Sequence, residues 1–226
     1  MTASHPMLPR LLQLASTLLP VGAYSYSQGL EWAIEDGQVH DRASAEGWIG
    51  DVLRHGLARF EAPLWWRLYH AWARNDFAGV ADANALFVAS RETAELRAES
   101  LQMGTSLRRL LLDIIELETP TRTCLSALEP IGFPSAYTLA AHTWGIPAAD
   151  ALQAYVWGWL ENQVSVLMKA VPLGQTDGQR VLLRLGADIP PMVDAAAGTE
   201  SLSNFLPGLA IASCRHETQY SRLFRS

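Results

Sequence analysis

Lysine is almost missing from this chain. Among its 226 residues Lys169 is the only one, and arginine carries the rest of the positive charge. Guanidinium groups of that kind bind carboxylates and phosphates in a fixed two-pronged geometry. Positive charge is also outnumbered: Lys plus Arg total 17 against 23 Asp plus Glu, a net charge of -6 at pH 7. With no broad basic surface to neutralise phosphates, the balance argues against nucleic-acid binding. Cysteine is scarce as well. Cys124 and Cys214 lie far apart and neither belongs to a pair motif, so no disulfide framework is expected and a reducing compartment, the cytoplasm, fits. Long apolar runs are lacking: each is broken by Gln, Arg, Asn or Glu well short of the roughly 20 residues a membrane span needs. Residues 1–19 show no signal-peptide pattern, being interrupted by Pro6, Pro9 and Arg10.

Catalytic and cofactor signatures are lacking too. There is no GxxxxGK[ST] phosphate loop. The Gly-rich stretch from Gly174 to Arg180 has no lysine, carries Asp177 where an anion would come close, and follows a helix rather than a strand. The six histidines (His5, His40, His55, His70, His142, His216) are scattered, with no i, i+4 pair. Cys214 and His216 are the remaining metal candidates, as a Cys-x-His-Glu string. No G-x-S-x-G elbow marks a nucleophile. Ser25 and Ser27 lie in a loop whose turn is set by Pro20 and Gly22, and one of them is expected to cap the following helix. Tyr24, Tyr26, Glu31 and Trp32 around them resemble an exposed recognition patch more than a nucleophile site.

What is there is helical. A hydrophobic share of 49% is too high for disorder. Leu107, Leu110, Leu111, Ile114 and Leu117 follow i, i+3, i+4, i+7 spacing. The proline-free stretch from Arg91 to Leu117 therefore predicts one long helix, polar in its first half and apolar in its second, with Pro120 ending it. Leu152, Val156, Trp159, Leu160, Leu167 and Val171 form a second stripe. Shorter helices are expected at 8–18, 27–36, 43–60, 62–74, 77–89, 134–144 and 175–197. Gly37 and Gly145 suit helix ends, and Pro63 and Pro134 suit first turns. Gly104 is expected to let helices pack closely. No strand pattern is present. The expectation is an all-α, single-domain helical bundle of roughly eight to ten helices over 1–197, followed by a flexible C-terminal partner-docking segment over 198–226, where helix signals fade.

That last segment is not featureless. Residues 215–226 carry three arginines, a histidine, a tyrosine and a Leu-Phe pair. Arg and Tyr are the types that anchor interfaces, so a docking element is one reading and a solvated basic end the other.

Four segments carry a resemblance: LLPVGAYSYSQGLEWA (18–33), SRETAELRAESLQMGTSLRRL (90–110), VPLGQTDGQRVL (171–182) and RHETQYSRLFRS (215–226). In order and spacing they resemble the signature blocks of the urease accessory protein F family, UreF. One mild departure is Gly22-Ala23, where the family usually has a glycine pair. The resemblance implies an all-α, non-catalytic maturation factor that forms a homodimer. It would bridge a UreD/UreH-type accessory protein and a UreG-type GTPase, and help deliver nickel to the urease apoprotein. GTP would belong to the partner, nickel would be handled within the complex, and no cofactor would be held stably here. Carried over by block, Arg215, His216, Glu217, Tyr220, Ser221, Arg222, Leu223 and Phe224 would meet the UreD/UreH-type partner, with Tyr220, Leu223 and Phe224 as buried anchors. Tyr24, Ser25, Ser27, Gln28, Glu31, Arg91, Glu92, Glu95, Gly174, Gln175, Asp177 and Gln179 would face the GTPase, Gln175 and Gln179 being alternatively the partners of buried backbone groups at a tight turn. Two other classes remain open on the residues alone: a small helical enzyme using Ser25, His142 or Glu31, and a nickel carrier using Cys214 and His216.

Overall fold

The computed structural model describes residues 7–226. Among them there is no strand, and the architecture is all-α. The helices run α1 Leu8–Ala15, α2 Leu30–Glu35, α3 Arg42–Asp51, α4 Ala62–Ala73, α5 Phe77–Ala89, α6 Ala94–Ile114, α7 Thr119–Ala127, α8 Phe133–Thr143, α9 Ala148–Ala170, α10 Gln175–Gly186, α11 Ile189–Ala196 and α12 Pro207–His216. A short 3-10 turn, Ala23–Ser25, precedes α2.

Helix α8 is the centre. Every residue from Pro134 to Ala141 is buried, as expected of a helix with no polar face. Two of its three buried hydroxyls are satisfied: Thr138 donates to the Pro134 carbonyl at 2.8 Å, and Ser135 to Asn84 at 2.8 Å; the third, Tyr137, has no partner among the described residues. Helices α4, α6 and α9 pack around it. Gly104 permits the α6 contact, since a Cβ there would lie 2.4 Å from the Ile131 carbonyl oxygen.

Between α3 and α4 the chain does not break. Val52–Glu61 continues it in the wider π register, in which the Ala62 N–H donates to the Leu57 carbonyl. Pro63 follows directly and can donate to nothing, so the register changes where a donor is missing anyway. The expected helices 43–60 and 62–74 are thus one rod.

Three expectations need correction. Pro120, expected only to end the long helix, sits in the first turn of α7, and α6 already ends at Ile114. The helix expected over 175–197 is two: Pro190 and Pro191 occupy the first turn of α11, where a missing N–H costs nothing. Residues 198–226 are not helix-free. Pro207 opens α12, and small residues such as Gly208 and Ser213 had blurred its period.

Candidate functional site

The last ten residues lie against the body of the protein, on the 25–31 loop and the first turns of α6. The loop conformation makes this fit. Gln28 and Gly29 both have positive φ, 54° and 78°. At Gly29 a Cβ would come 2.9 Å from the Ser213 nitrogen, so only glycine lets α12 approach α2 this closely. The strained Gln28 is held from three sides. Its side-chain oxygen accepts from Trp159 Nε1 at 2.7 Å, its Nε2 donates to Glu99 at 2.7 Å, and its N–H donates to the Ser226 main-chain oxygen at 2.9 Å.

The same Ser226 oxygen accepts from the Ser27 N–H at 2.5 Å and from the Ser27 hydroxyl. The Arg225 N–H donates to the Ser25 carbonyl at 2.8 Å, and the Ser226 hydroxyl to Glu99 Oε2 at 3.1 Å. Neither serine caps α2, whose N-cap is Gly29 with no side-chain bond; Ser27 spends its hydroxyl on the C-terminal segment instead.

Three carboxylates, the first of them buried, complete the clasp. Glu31, on α2, accepts from the Leu223 N–H at 2.6 Å, the Phe224 N–H at 3.1 Å and His216 Nε2 at 3.1 Å. The other His216 ring nitrogen lies 2.7 Å from Glu95 Oε2, and Arg222 donates to Glu95 Oε1 at 2.7 Å. Glu217 accepts from the Ala94 and Glu95 N–H groups at 3.0 and 3.4 Å. It thereby satisfies free donors of the α6 N-terminus, where a negative charge is also favoured by the helix dipole. Thr93, the N-cap of α6, bonds the Ser213 hydroxyl at 2.8 Å.

Behind the clasp lies a cavity of about 390 Å³, whose lining includes Gln28, Glu61, Arg91, Glu99, Tyr137 and Trp159. Arg91 is bonded to Glu61 at 3.3 Å and sits over the Phe87 ring at 4.4 Å. Tyr155 also donates to Glu61, and burial, reinforced by Glu61, pushes the Tyr155 phenol up. Burial alone does the same to Tyr137, whose hydroxyl has no partner. The Glu99 carboxyl is pushed up to about 7, chiefly by burial.

The structure sorts the sequence candidates. Phe224 is buried within this chain, beneath the Lys169 ammonium, and so anchors its own segment rather than standing free. His216 is fully buried, whereas Tyr220, Leu223, Arg215, Ser221 and Arg222 are exposed. Cys214 is exposed while His216 is buried between two carboxylates, so the two are not brought together. Among the described residues no group of three or more His, Cys, Asp or Glu could hold a metal. Ser25, Ser27, Gln28, Glu31 and Glu95 all meet the C-terminal segment, and Arg91 is half-buried in its ion pair. Tyr24 and Glu92 remain exposed. Gly174, Gln175, Asp177 and Gln179 lie at the start of α10 and make no hydrogen bond to the clasp among the described residues, though Gln179 also lines the cavity behind it; Asp177, partly exposed, pairs with Arg180 at 2.9 Å. Gln175 and Gln179 are exposed, and among the described residues no hydrogen bond joins either to a buried backbone group. His142 packs edge-on against Tyr69, and no hydrogen bond among the described residues joins it to Ser25 or Glu31. Glu99 and Trp159, central to the clasp, were missed as site residues.

Among the described residues no helix is long and apolar enough to cross a membrane. The UreF family pattern matches residues 39–186. Urease accessory protein UreF of Methylobacillus flagellatus is 56% identical over 221 residues, covering 97% of each chain. UreF of Azoarcus sp. (strain BH72) is 60% identical over 221 residues, 96% of this chain and 94% of the relative. The bifunctional urease accessory protein UreEF of Bordetella bronchiseptica is 48% identical over 224 residues, 97% of this chain and 52% of the relative. On this similarity along nearly its whole length, the chain belongs to the UreF family of urease accessory proteins.

Proposed function

We propose that this chain is a non-catalytic, cytoplasmic scaffold of urease maturation. It bridges a UreD/UreH-type accessory protein and a UreG-type GTPase, and acts as a homodimer in GTP-dependent delivery of nickel to the urease apoprotein. The observation that supports this reading is the clasp. Three of the four signature-like segments meet in it, and it fixes the backbone of residues 223–226 while turning outward the side chains suited to an interface. Tyr220 and Leu223 are 105% and 71% exposed, and Tyr24, 63% exposed, lines the same shallow depression as Leu223 and Phe224. An aromatic and an aliphatic anchor flanked by Arg215 and Arg222, held in place before a partner arrives, lower the ordering cost of association. This edge is assigned to the UreD/UreH-type partner. The exposed first turn of α10, with Glu92 and Tyr24, is left for the GTPase.

The test is size-exclusion chromatography with light scattering. The full chain and its Tyr220→Ala and Leu223→Ala variants would be run alone and with the two partner proteins. Neither side chain is in the core, so both variants should fold. Loss of an anchor worth about 2 kcal/mol weakens binding roughly 30-fold, enough to remove the UreD/UreH-type protein from the assembly peak at micromolar concentration. Variants that assemble like the unmodified chain would refute this edge as the docking surface. An unmodified chain that ignores both partners would refute the scaffold.

A further inference from the structure

Glu99 lies at the back of the clasp with no cation bonded to it. Its Oε1 accepts from Gln28 Nε2 at 2.7 Å and its Oε2 from the Ser226 hydroxyl at 3.1 Å, both neutral donors. The Gln28 amide cannot turn round, because its oxygen is taken by Trp159 of α9. The titratable and charged groups facing Glu99 are Glu61 from the π-helical stretch, Arg91 from the turn before α6, and the Tyr26 phenol from the loop. Arg91 is bonded to Glu61 rather than to Glu99. A buried carboxylate in such company is poorly compensated, whereas a protonated carboxyl fits without loss. Oε1 goes on accepting from Gln28, and a proton on Oε2 is donated to the Ser226 hydroxyl oxygen, since a hydroxyl serves equally as donor or acceptor.

Ser226 is both a partner and part of the cover. The Ser226 hydroxyl bond by itself favours the charged carboxylate, but burial is the larger effect and opposes it; lifting the segment removes the bond and part of the cover, and exposure to water returns Glu99 toward the ordinary carboxylate range. We propose that docking of residues 217–226 onto the 25–31 loop takes up a proton at Glu99, so that the clasp tightens as pH falls and loosens as pH rises. Burial raises the carboxyl from 4.5 to about 7 in the docked state. The stabilisation is therefore complete below the open-state value and is lost as pH rises through about 7. The coupling concerns the protein's own segment and holds whichever partner reads the exposed edge.

The full chain offers five reporter amides: Ser27 and Gln28, bonded to Ser226; Leu223 and Phe224, bonded to Glu31; and Arg225, bonded to Ser25. Their hydrogen-exchange protection would be measured by NMR between pH 5 and 8, corrected for intrinsic exchange. Protection should fall about tenfold or more across this range, since a linked proton is worth up to about tenfold per pH unit. Core amides such as Leu107 and Leu167 should not change. Glu99→Gln keeps both hydrogen bonds and has no proton to lose, so its clasp amides should be equally protected throughout. A fall that survives in Glu99→Gln would place the titrating group elsewhere and overturn the proposal, as would flat protection in the unmodified chain. Independently of any variant, the Glu99 carboxyl carbon should titrate near 7 by NMR; a midpoint in the ordinary carboxylate range overturns the coupling.

Discussion

Replacing Glu31 by glutamine tests whether the clasp is held by a buried carboxylate or merely by contact between apolar side chains. Glu31 is 6% exposed and its two oxygens accept three bonds, one on Oε1 from Leu223 and two on Oε2 from Phe224 and His216. The amide is nearly isosteric, so packing is unchanged. Its oxygen is best placed where Oε2 was, keeping Phe224 and His216. Its NH₂ then faces the Leu223 N–H, donor against donor. One charge-assisted bond is lost and two are weakened to neutral ones. At about 1.5–3 kcal/mol for a bond to a charged group against about 1 kcal/mol for a neutral one, the clasp loses about 2.5–7 kcal/mol. At 1.4 kcal/mol per factor of ten, that is a rise in the open population of roughly 60-fold at the least and roughly 100,000-fold at the most. Hydrogen exchange at the Leu223, Phe224 and Arg225 amides should rise accordingly. The denaturation midpoint should move little, because the segment adds only Phe224 to the main core. If protection at these amides stays within about threefold of the unmodified chain, the carboxylate is not what holds the segment and the reasoning fails.

Two further predictions concern the frame on which the clasp is built. Gly104→Ala gains up to about 1 kcal/mol of helix propensity. However, its Cβ would meet backbone atoms of residues 131–133 at 2.4–2.9 Å, which no rotamer change relieves. Overpacking at about 1–3 kcal/mol or more wins, and urea unfolding should show net destabilisation. By contrast, Gly47→Ala, with nothing within 4 Å of its Cβ, should stabilise by about 0.5–1 kcal/mol; a stabilised Gly104→Ala would refute the close approach. Asn84→Ala should be among the costlier single changes. Its side chain bonds the Pro130 carbonyl at 2.8 Å, the Gly132 N–H at 2.9 Å and the Ser135 hydroxyl at 2.8 Å. Three orphaned polar groups at about 1–3 kcal/mol each, partly relieved by water, predict a loss of about 3 kcal/mol, read as a fall in melting temperature of roughly 6–12 °C.

Much of the fold was legible because periodicity and punctuation agree. Phe77–Ala89 was read to the residue, and the structure adds that the Asp76 side chain caps its start. The long helices α6 and α9 were placed within a few residues by their stripes. Errors fell where one residue type carries two meanings. Proline ends one helix and begins the next, and at Pro120 only the ending was seen. Pro190 and Pro191 were absorbed into a continuous pattern, because the apolar stripe resumes in phase on α11. The helix α12 is short and rich in small residues, so its period is faint. What could not be read at all is the π register of Val52–Glu61, whose buried residues Val52, Leu53, Leu57 and Phe60 have a spacing that an ordinary helix also allows.

The clasp itself had a signal in the sequence that went unused. The buried stripe of α6 runs through Leu111, Leu107 and Met103 in steps of four. Two more steps toward the N-terminus reach Glu99 and Glu95. The polar first half of the helix was therefore not a solvated face throughout, since two carboxylates stand in register with the core. A carboxylate at a core position needs donors, and its own helix cannot supply them, because the neighbouring backbone N–H groups are already bonded. The donors must come from a segment rich in Arg, His and free backbone N–H groups, most of it beyond the end of a helix that would consume them. Residues 215–226 are that segment, with His216 and Arg222 meeting Glu95 and Ser226 meeting Glu99. Reading the acidic register of α6 and the basic character of the last residues as halves of one site would have placed the segment on the body. Its inward half, His216, Phe224 and Ser226, would then have been separated from the outward half, Tyr220 and Leu223, that is left for a partner.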